Sequence, residues 1–224
     1  MYNSILNEAD GQAGGWTFTE RSRIVNLAEQ EFVNNYLEES RQAQEDFIHS
    51  AEAKKAIFDC ADSITDAIQS GHKLLIAGNG GSAGDAQHIA GEFLSRLFFD
   101  HAPLPAIALT TDTSVLTAVG NDYGYDHVFE RQVLGLGQEG DIFLGISTSG
   151  KSRNILCALK AARSRRMTTL GFTGGLAGSM NEHCDHILCA PSTKTSVIQQ
   201  IHIVAAHLVC GLVETRIFGV AKSA

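Results

Sequence analysis

Two short segments of small polar residues carry the strongest chemical signal in this chain. The first, Gly78-Asn79-Gly80-Gly81-Ser82, follows an apolar run and precedes a helical pattern. Glycines at such a junction let backbone N–H groups approach an anion, and a helix start favours negative charge. Ser82 adds a hydroxyl and is placed to cap the helix. The second, Ser147-Thr148-Ser149-Gly150-Lys151-Ser152, sets four hydroxyls in six residues at the end of another apolar run, with Lys151 adding charge. Either segment alone reads equally well as a capped helix start. Two of them at one edge of one sheet point to a small phosphorylated ligand. The first loop is neither a Walker loop, since no Gly-Lys-Ser/Thr follows it, nor a dinucleotide fingerprint, since GNGGSAG lacks the GxGxxG spacing.

Acid–base and metal-binding residue types lie on the helical patterns nearby. His88 and Glu92 are four apart, so they share a helix face. Such a pair can offer a nitrogen and an oxygen to one Zn2+, or form a plain surface salt bridge. Arg96 follows four residues later. Gln199, His202 and His207 interrupt an otherwise apolar helical stretch near the C-terminus, where a lone histidine often serves as a satisfied core residue. Gln199 and His207 would stand ~12 Å apart along a helix axis. They could serve one ion only from a loosened helix start or from two subunits, and we favour a site at a subunit interface. Asn121-Asp122 sits in an Asn-Asp-Tyr-Gly stretch that is also good turn chemistry.

These residues need a scaffold, and the apolar periodicity supplies one. Residues 1–20 read as a flexible, glycine-interrupted arm ahead of a single domain over 21–224. Helices are expected over 21–50, with Ile24 at its start, and over 53–70, ended by Gly71 as a C-cap. Short apolar runs then read as strands over 73–77, 105–109, 141–146, 168–173 and 186–189. Between and after them, helices are expected over 82–98, 125–134, 153–165 and 195–218, with a short one over 180–184 and an ambiguous turn over 113–120. Alternating strands and helices imply βαβ units. The expected fold is α/β, a three-layer sandwich around a mainly parallel five-stranded sheet, preceded by two N-terminal helices.

Composition excludes some alternatives. With 17 Lys and Arg against 25 Asp and Glu, the net charge of −8 argues against a nucleic-acid groove or an anionic membrane surface. No signal-like segment is seen, and no apolar run reaches the ~18 residues of a membrane span. Cys60, Cys157, Cys184, Cys189 and Cys210 form no CxxC pair, and an odd count fits a reducing compartment. A cytoplasmic location follows.

The segments AGNGGSAGDAQHIAGEFLSR, ALTTDTSVLTAVGNDYGYD, EGDIFLGISTSGKS and IQQIHIVAAHLVCGLVE together resemble the sugar isomerase (SIS) fold, a flavodoxin-like architecture. Within it, residues 24–218 resemble the phosphoheptose isomerases. The resemblance implies conversion of sedoheptulose 7-phosphate to an aldoheptose phosphate through an enediol. It also implies a homotetramer. It makes Glu92 and His207 the catalytic pair and His88, Glu92, Gln199 and His207 the ligands of one Zn2+. Asn79, Gly80, Gly81, Ser82, Glu92, Asn121, Asp122 and Gln199 would line the sugar, and Ser147, Thr148, Ser149 and Ser152 would hold its phosphate. His202 matches a family histidine without a catalytic role. Some relatives carry an acid three residues before the helix glutamine, where this chain has Ser196. A related SIS protein assembles with the bacterial replication initiator without catalysis, and a non-catalytic sugar-phosphate sensor is a third reading. Glu92 and His207 favour the enzyme.

Overall fold

The computed structural model describes residues 27–175 and 177–219. The expected arm over 1–20 and the start of the first helix, with Ile24, lie outside the described residues. The chain divides into two units, one up to Asn35 and one from Tyr36 onward.

Helix α1 covers Leu27–His49 and α2 covers Ala51–Gln69. Ser50 separates them because its hydroxyl caps α2, accepting from the Ala53 N–H at 3.0 Å. Gly71 ends α2 as expected: its φ of 86° lets the N–H of Gly71 reach Ile68 O and that of His72 reach Ala67 O. This is a Schellman ending, which needs a left-handed residue. Five strands follow, β1 (Leu74–Gly78), β2 (Ala106–Ala108), β3 (Ile142–Ser147), β4 (Thr168–Thr173) and β5 (His186–Cys189). They pair in parallel in the order β2-β1-β3-β4-β5. The helices between and after them are α3 (Gly81–Leu94), α4 (Thr113–Asp122), α5 (Glu130–Leu136), α6 (Arg153–Ser164) and α7 (Thr195–Phe218).

Alternate strand residues feed two cores, one on each side of the sheet. Leu74, Ile76, Leu144, Ile146 and Phe172 pack with α2, α3 and α7. Leu75, Ala77 and Phe143 pack with residues of α5 and α6, among them Val133, Ile155 and Leu159. Both faces of β1 and β3 are therefore buried, which is why these strands read as continuous apolar runs.

Three local expectations change. The ambiguous 113–120 is a full helix, α4, capped by Asp112, whose carboxylate accepts from Val115 N–H at 3.0 Å. The helix expected over 125–134 is a 3₁₀ turn at Tyr125–His127 followed by α5. Helix α3 stops at Leu94 rather than 98, because the N–H groups of Leu97 and Phe98 turn instead to the buried Glu214 carboxylate, at 2.7 and 3.1 Å. Glu214 also accepts from His101 Nε2 at 2.8 Å, so both oxygens of this buried carboxyl group on α7 have partners. Helix α7 is, among the described residues, long and apolar enough to cross a membrane by length and composition, which corrects the expectation that no run qualifies. Over half of that stretch is buried, and it packs on α2 and α3 as a core helix.

Candidate active site

In this strand order β1 and β3 are neighbours whose onward connections leave in opposite directions, so a crevice opens between their carboxyl ends. Both polar loops end there. A cavity of about 270 Å³ is lined by Asn79, Gly80, Gly81, Ser82, Ile146, Ser147, Thr148, Ser152, Thr195 and Gln199.

Local chemistry explains its walls. Gly80 precedes α3 with φ 56°, a conformation that costs a glycine little. It, and not Ser82, is the N-cap; Ser82 lies inside the first turn with its N–H on Asn79 O at 3.0 Å. A Cβ on Gly81 would stand 2.4 Å from Gln199 Nε2, so only glycine lets the Gln199 amide lie against this backbone. At the second loop, Ser152 is the N-cap of α6 but makes no side-chain cap hydrogen bond. Its hydroxyl pairs with the Ser147 hydroxyl at 2.9 Å, and both residues line the cavity. Neither N-cap residue, Gly80 or Ser152, thus spends a side chain on the first turn of its helix, which leaves room for an anion there.

The string from Gly145 to Ser152 also spells GxxxxGKS, the nucleotide phosphate loop. Here Gly145 is paired inside β3 with Ala77 and Gly171, and α6 begins only after Ser152. Gly145, Ile146 and Ser147 are thus strand, so only residues 148–152 of the motif lie between strand and helix.

Further along the same two helices, His88 and Glu92 on α3 meet His207 on α7. His88 Nε2 lies 2.9 Å from His207 Nε2 and 3.1 Å from Glu92 Oε1. The three donor atoms all lie within 4.8 Å of one another. Two ring nitrogens this close need either one proton between them or a cation in common. Two imidazoles and a carboxylate with an open side fit a catalytic Zn2+ by ligand type and spacing. Gln199 stands on the cavity wall, five residues into a regular α7. A loosened helix start is thus not how it could reach an ion beside His207.

Other expected residues lie elsewhere. Asn121 and Asp122 close α4, exposed, with Asn121 Nδ2 donating to Asp122 Oδ1 at 2.7 Å, and neither lines the cavity. Ser149 accepts from the Lys151 N–H at 3.2 Å and does not line it either. His202 is buried in the core: its Nε2 donates to Thr173 O at 3.0 Å, and desolvation pulls its pKa down to about 4 while that bond opposes the shift.

Sequence reasoning missed several neighbours. Asp85, one turn before His88, is half-buried with Oδ2 unpartnered among the described residues, and burial pushes its carboxyl above the usual range while the His88 charge opposes. Tyr125 donates its hydroxyl to Asn79 Oδ1 at 3.3 Å, and Asn154 makes two hydrogen bonds to the same amide. A signal for Asn154 existed. It shares the buried helical stripe of Ala158, Ala161 and Ala162, where a lone amide is out of place.

The SIS domain family matches residues 35–174. Phosphoheptose isomerase from Burkholderia pseudomallei (strain K96243) is 52% identical over 188 residues, covering 84% of this chain and 95% of that relative. The phosphoheptose isomerase of Aneurinibacillus thermoaerophilus is 47% identical over 188 residues, with 84% and 95% covered. The solved structure of the phosphoheptose isomerase from Neisseria gonorrhoeae superposes with a TM-score of 0.78 at 40% identity, covering 83% of this chain and 98% of that one. Sharing sequence and fold over most of both partners' lengths, the chain belongs to the phosphoheptose isomerases of the SIS-domain family, which are sugar-phosphate isomerases.

Proposed function

We propose that the chain converts sedoheptulose 7-phosphate to D-glycero-D-manno-heptose 7-phosphate through an enediol. This would be the first step toward nucleotide-activated heptose, with lipopolysaccharide as a destination and the cytoplasm as the location. The observation that carries this reading is the offset between the cavity and the His88–Glu92–His207 group. Gly81 and Gln199 line the cavity. His88 lies seven residues beyond Gly81 and His207 eight beyond Gln199, about 10–12 Å along the helix axes. Such an offset suits a ligand with its phosphate at one end of a seven-carbon chain and its carbonyl at the other.

In this mechanism the hydroxyls of Ser147, Thr148 and Ser152 and the helix starts hold the phosphate. Glu92 has one oxygen beside His88 and uses the other to take the proton next to the carbonyl and return it to the neighbouring carbon. His207 shuttles a proton between the two oxygens. His88, Glu92 and His207 hold a Zn2+, which when bound supplies polarisation of those oxygens. Gln199, separated from His207 by ~12 Å of helix, completes the ligand set from a neighbouring subunit of a homotetramer. Exposed Leu94 and Leu208, next to these residues in sequence, support such a cover. The test is turnover of sedoheptulose 7-phosphate against shorter ketose phosphates, with the aldoheptose product followed. Preferential turnover supports the reading, and none in zinc-supplied enzyme removes it.

A further inference from the structure

Asn154 is 4% exposed, on the second residue of α6, and is not part of the cavity lining. It nevertheless decides what the cavity offers. Its Oδ1 lies 3.0 Å from the backbone N–H of Ile155. A backbone N–H can only donate, so this contact fixes which end of the Asn154 amide is oxygen. The rest follows in sequence. Asn154 Nδ2 donates to Asn79 Oδ1 at 2.8 Å, and Asn79 Nδ2 donates back to Asn154 Oδ1 at 2.9 Å. Tyr125 OH adds a third bond to Asn79 Oδ1 at 3.3 Å. A hydroxyl can donate or accept, so Tyr125 follows the orientation and does not set it.

Flipping the Asn79 amide would oppose oxygen to oxygen and nitrogen to nitrogen across the pair. Asn79 therefore keeps its oxygen engaged and one Nδ2 hydrogen uncommitted within the pair. Asn79 lines the cavity, so what it has left to give a ligand there is a donor. An apolar side chain at 154 would pack well beside Ile155, Ala158 and Leu159, and the amide's burial is offset by its pairing with Asn79 and Ile155 N–H.

We propose that Asn154 is a positioning residue of the isomerase site, holding Asn79 so that an N–H meets an oxygen of the bound sugar phosphate. This rests on the function proposed above. The test is a double-mutant cycle of Asn154→Ala and Asn79→Ala, read on kcat/KM for sedoheptulose 7-phosphate. The same four proteins are titrated with that sugar phosphate by calorimetry, which needs no turnover. Asn154→Ala alone is expected to lower both quantities about tenfold. In the Asn79→Ala background the same change should cost less than about twofold, because the residue it acts through is already gone. Tyr125→Phe should cost less than Asn154→Ala. Fold losses that multiply, or an Asn154→Ala enzyme equal to wild type, overturn the proposal. If Asn154→Ala does not fold, Asn154→Ser replaces it; serine can still accept from Ile155 N–H but has no amide to pair with Asn79. Wild-type binding without turnover would sink the isomerase reading alone and leave the affinity cycle to judge Asn154. Absence of both binding and turnover would overturn both.

Discussion

His88 and His207 are 119 residues apart in the chain, and their Nε2 atoms stand 2.9 Å apart. The contact exists because α3 and α7 pack side by side on the same face of the sheet, with Glu92 one turn beyond His88. That arrangement, and the cavity at the starts of the same helices, generate the following expectations.

Replacing His88 by Ala removes one of three convergent donors. Bound zinc should fall well below one per chain, measured on dialysed protein, and turnover should fall with it. Because His88 is exposed, the unfolding free energy of the metal-free form should stay within about 0.5 kcal/mol of wild type. Stoichiometric zinc in His88→Ala would show that the ligand set is wrong.

The Glu92→Gln variant keeps the shape of the side chain and loses its basicity. A drop in kcat of about 10²–10⁴ is expected from loss of a general base, with KM changed little. Retained activity would take the carbon-acid step away from this residue.

Ala at position 81 tests the close approach of Gln199. The added Cβ would lie 2.4 Å from the end of a flexible side chain, so folding can adapt by moving Gln199. The cost should appear as a fall in kcat/KM of about tenfold or more with a near-normal melting temperature, since ångström-scale misplacement is expensive only at the site. A Gly81→Ala enzyme of full activity would mean Gln199 has no role there.

Acid should loosen the core through His202. Its folded pKa of about 4 lies below the ordinary 6.5, so between these values the unfolded chain binds a proton the folded one refuses. Stability from this group is whole above about pH 6.5 and declines as pH falls toward 4, by up to about 3 kcal/mol. Urea midpoints measured across that range should fall with pH, and a His202→Gln variant should show a shallower slope. An unchanged slope would show that His202 is not the titrating group.

Much of the scaffold was legible because its signals are local. The apolar runs of β1 and β3 reveal strands buried on both faces, and Gly71 marks the end of α2 through its own backbone freedom. Helix α3 ran short of its expected end because Leu97 and Phe98 N–H groups follow Glu214, 117 and 116 residues away, over local propensity. The 3₁₀ turn at Tyr125 likewise carries a contact to Asn79, 46 residues back in the chain.

The sequence alone determined the residue types at each turn. Glycines and hydroxyls at Gly78–Ser82 and Ser147–Ser152, and the helical spacing of His88 and Glu92, are properties of neighbouring residues and of fixed backbone periods. Only the tertiary structure decided which of these groups meet. Strand order set the two loops side by side, helix packing brought His207 to His88, and Asn154 found Asn79 across 75 residues. Side-chain convergence over such separations depends on how whole elements pack, and no local period encodes it.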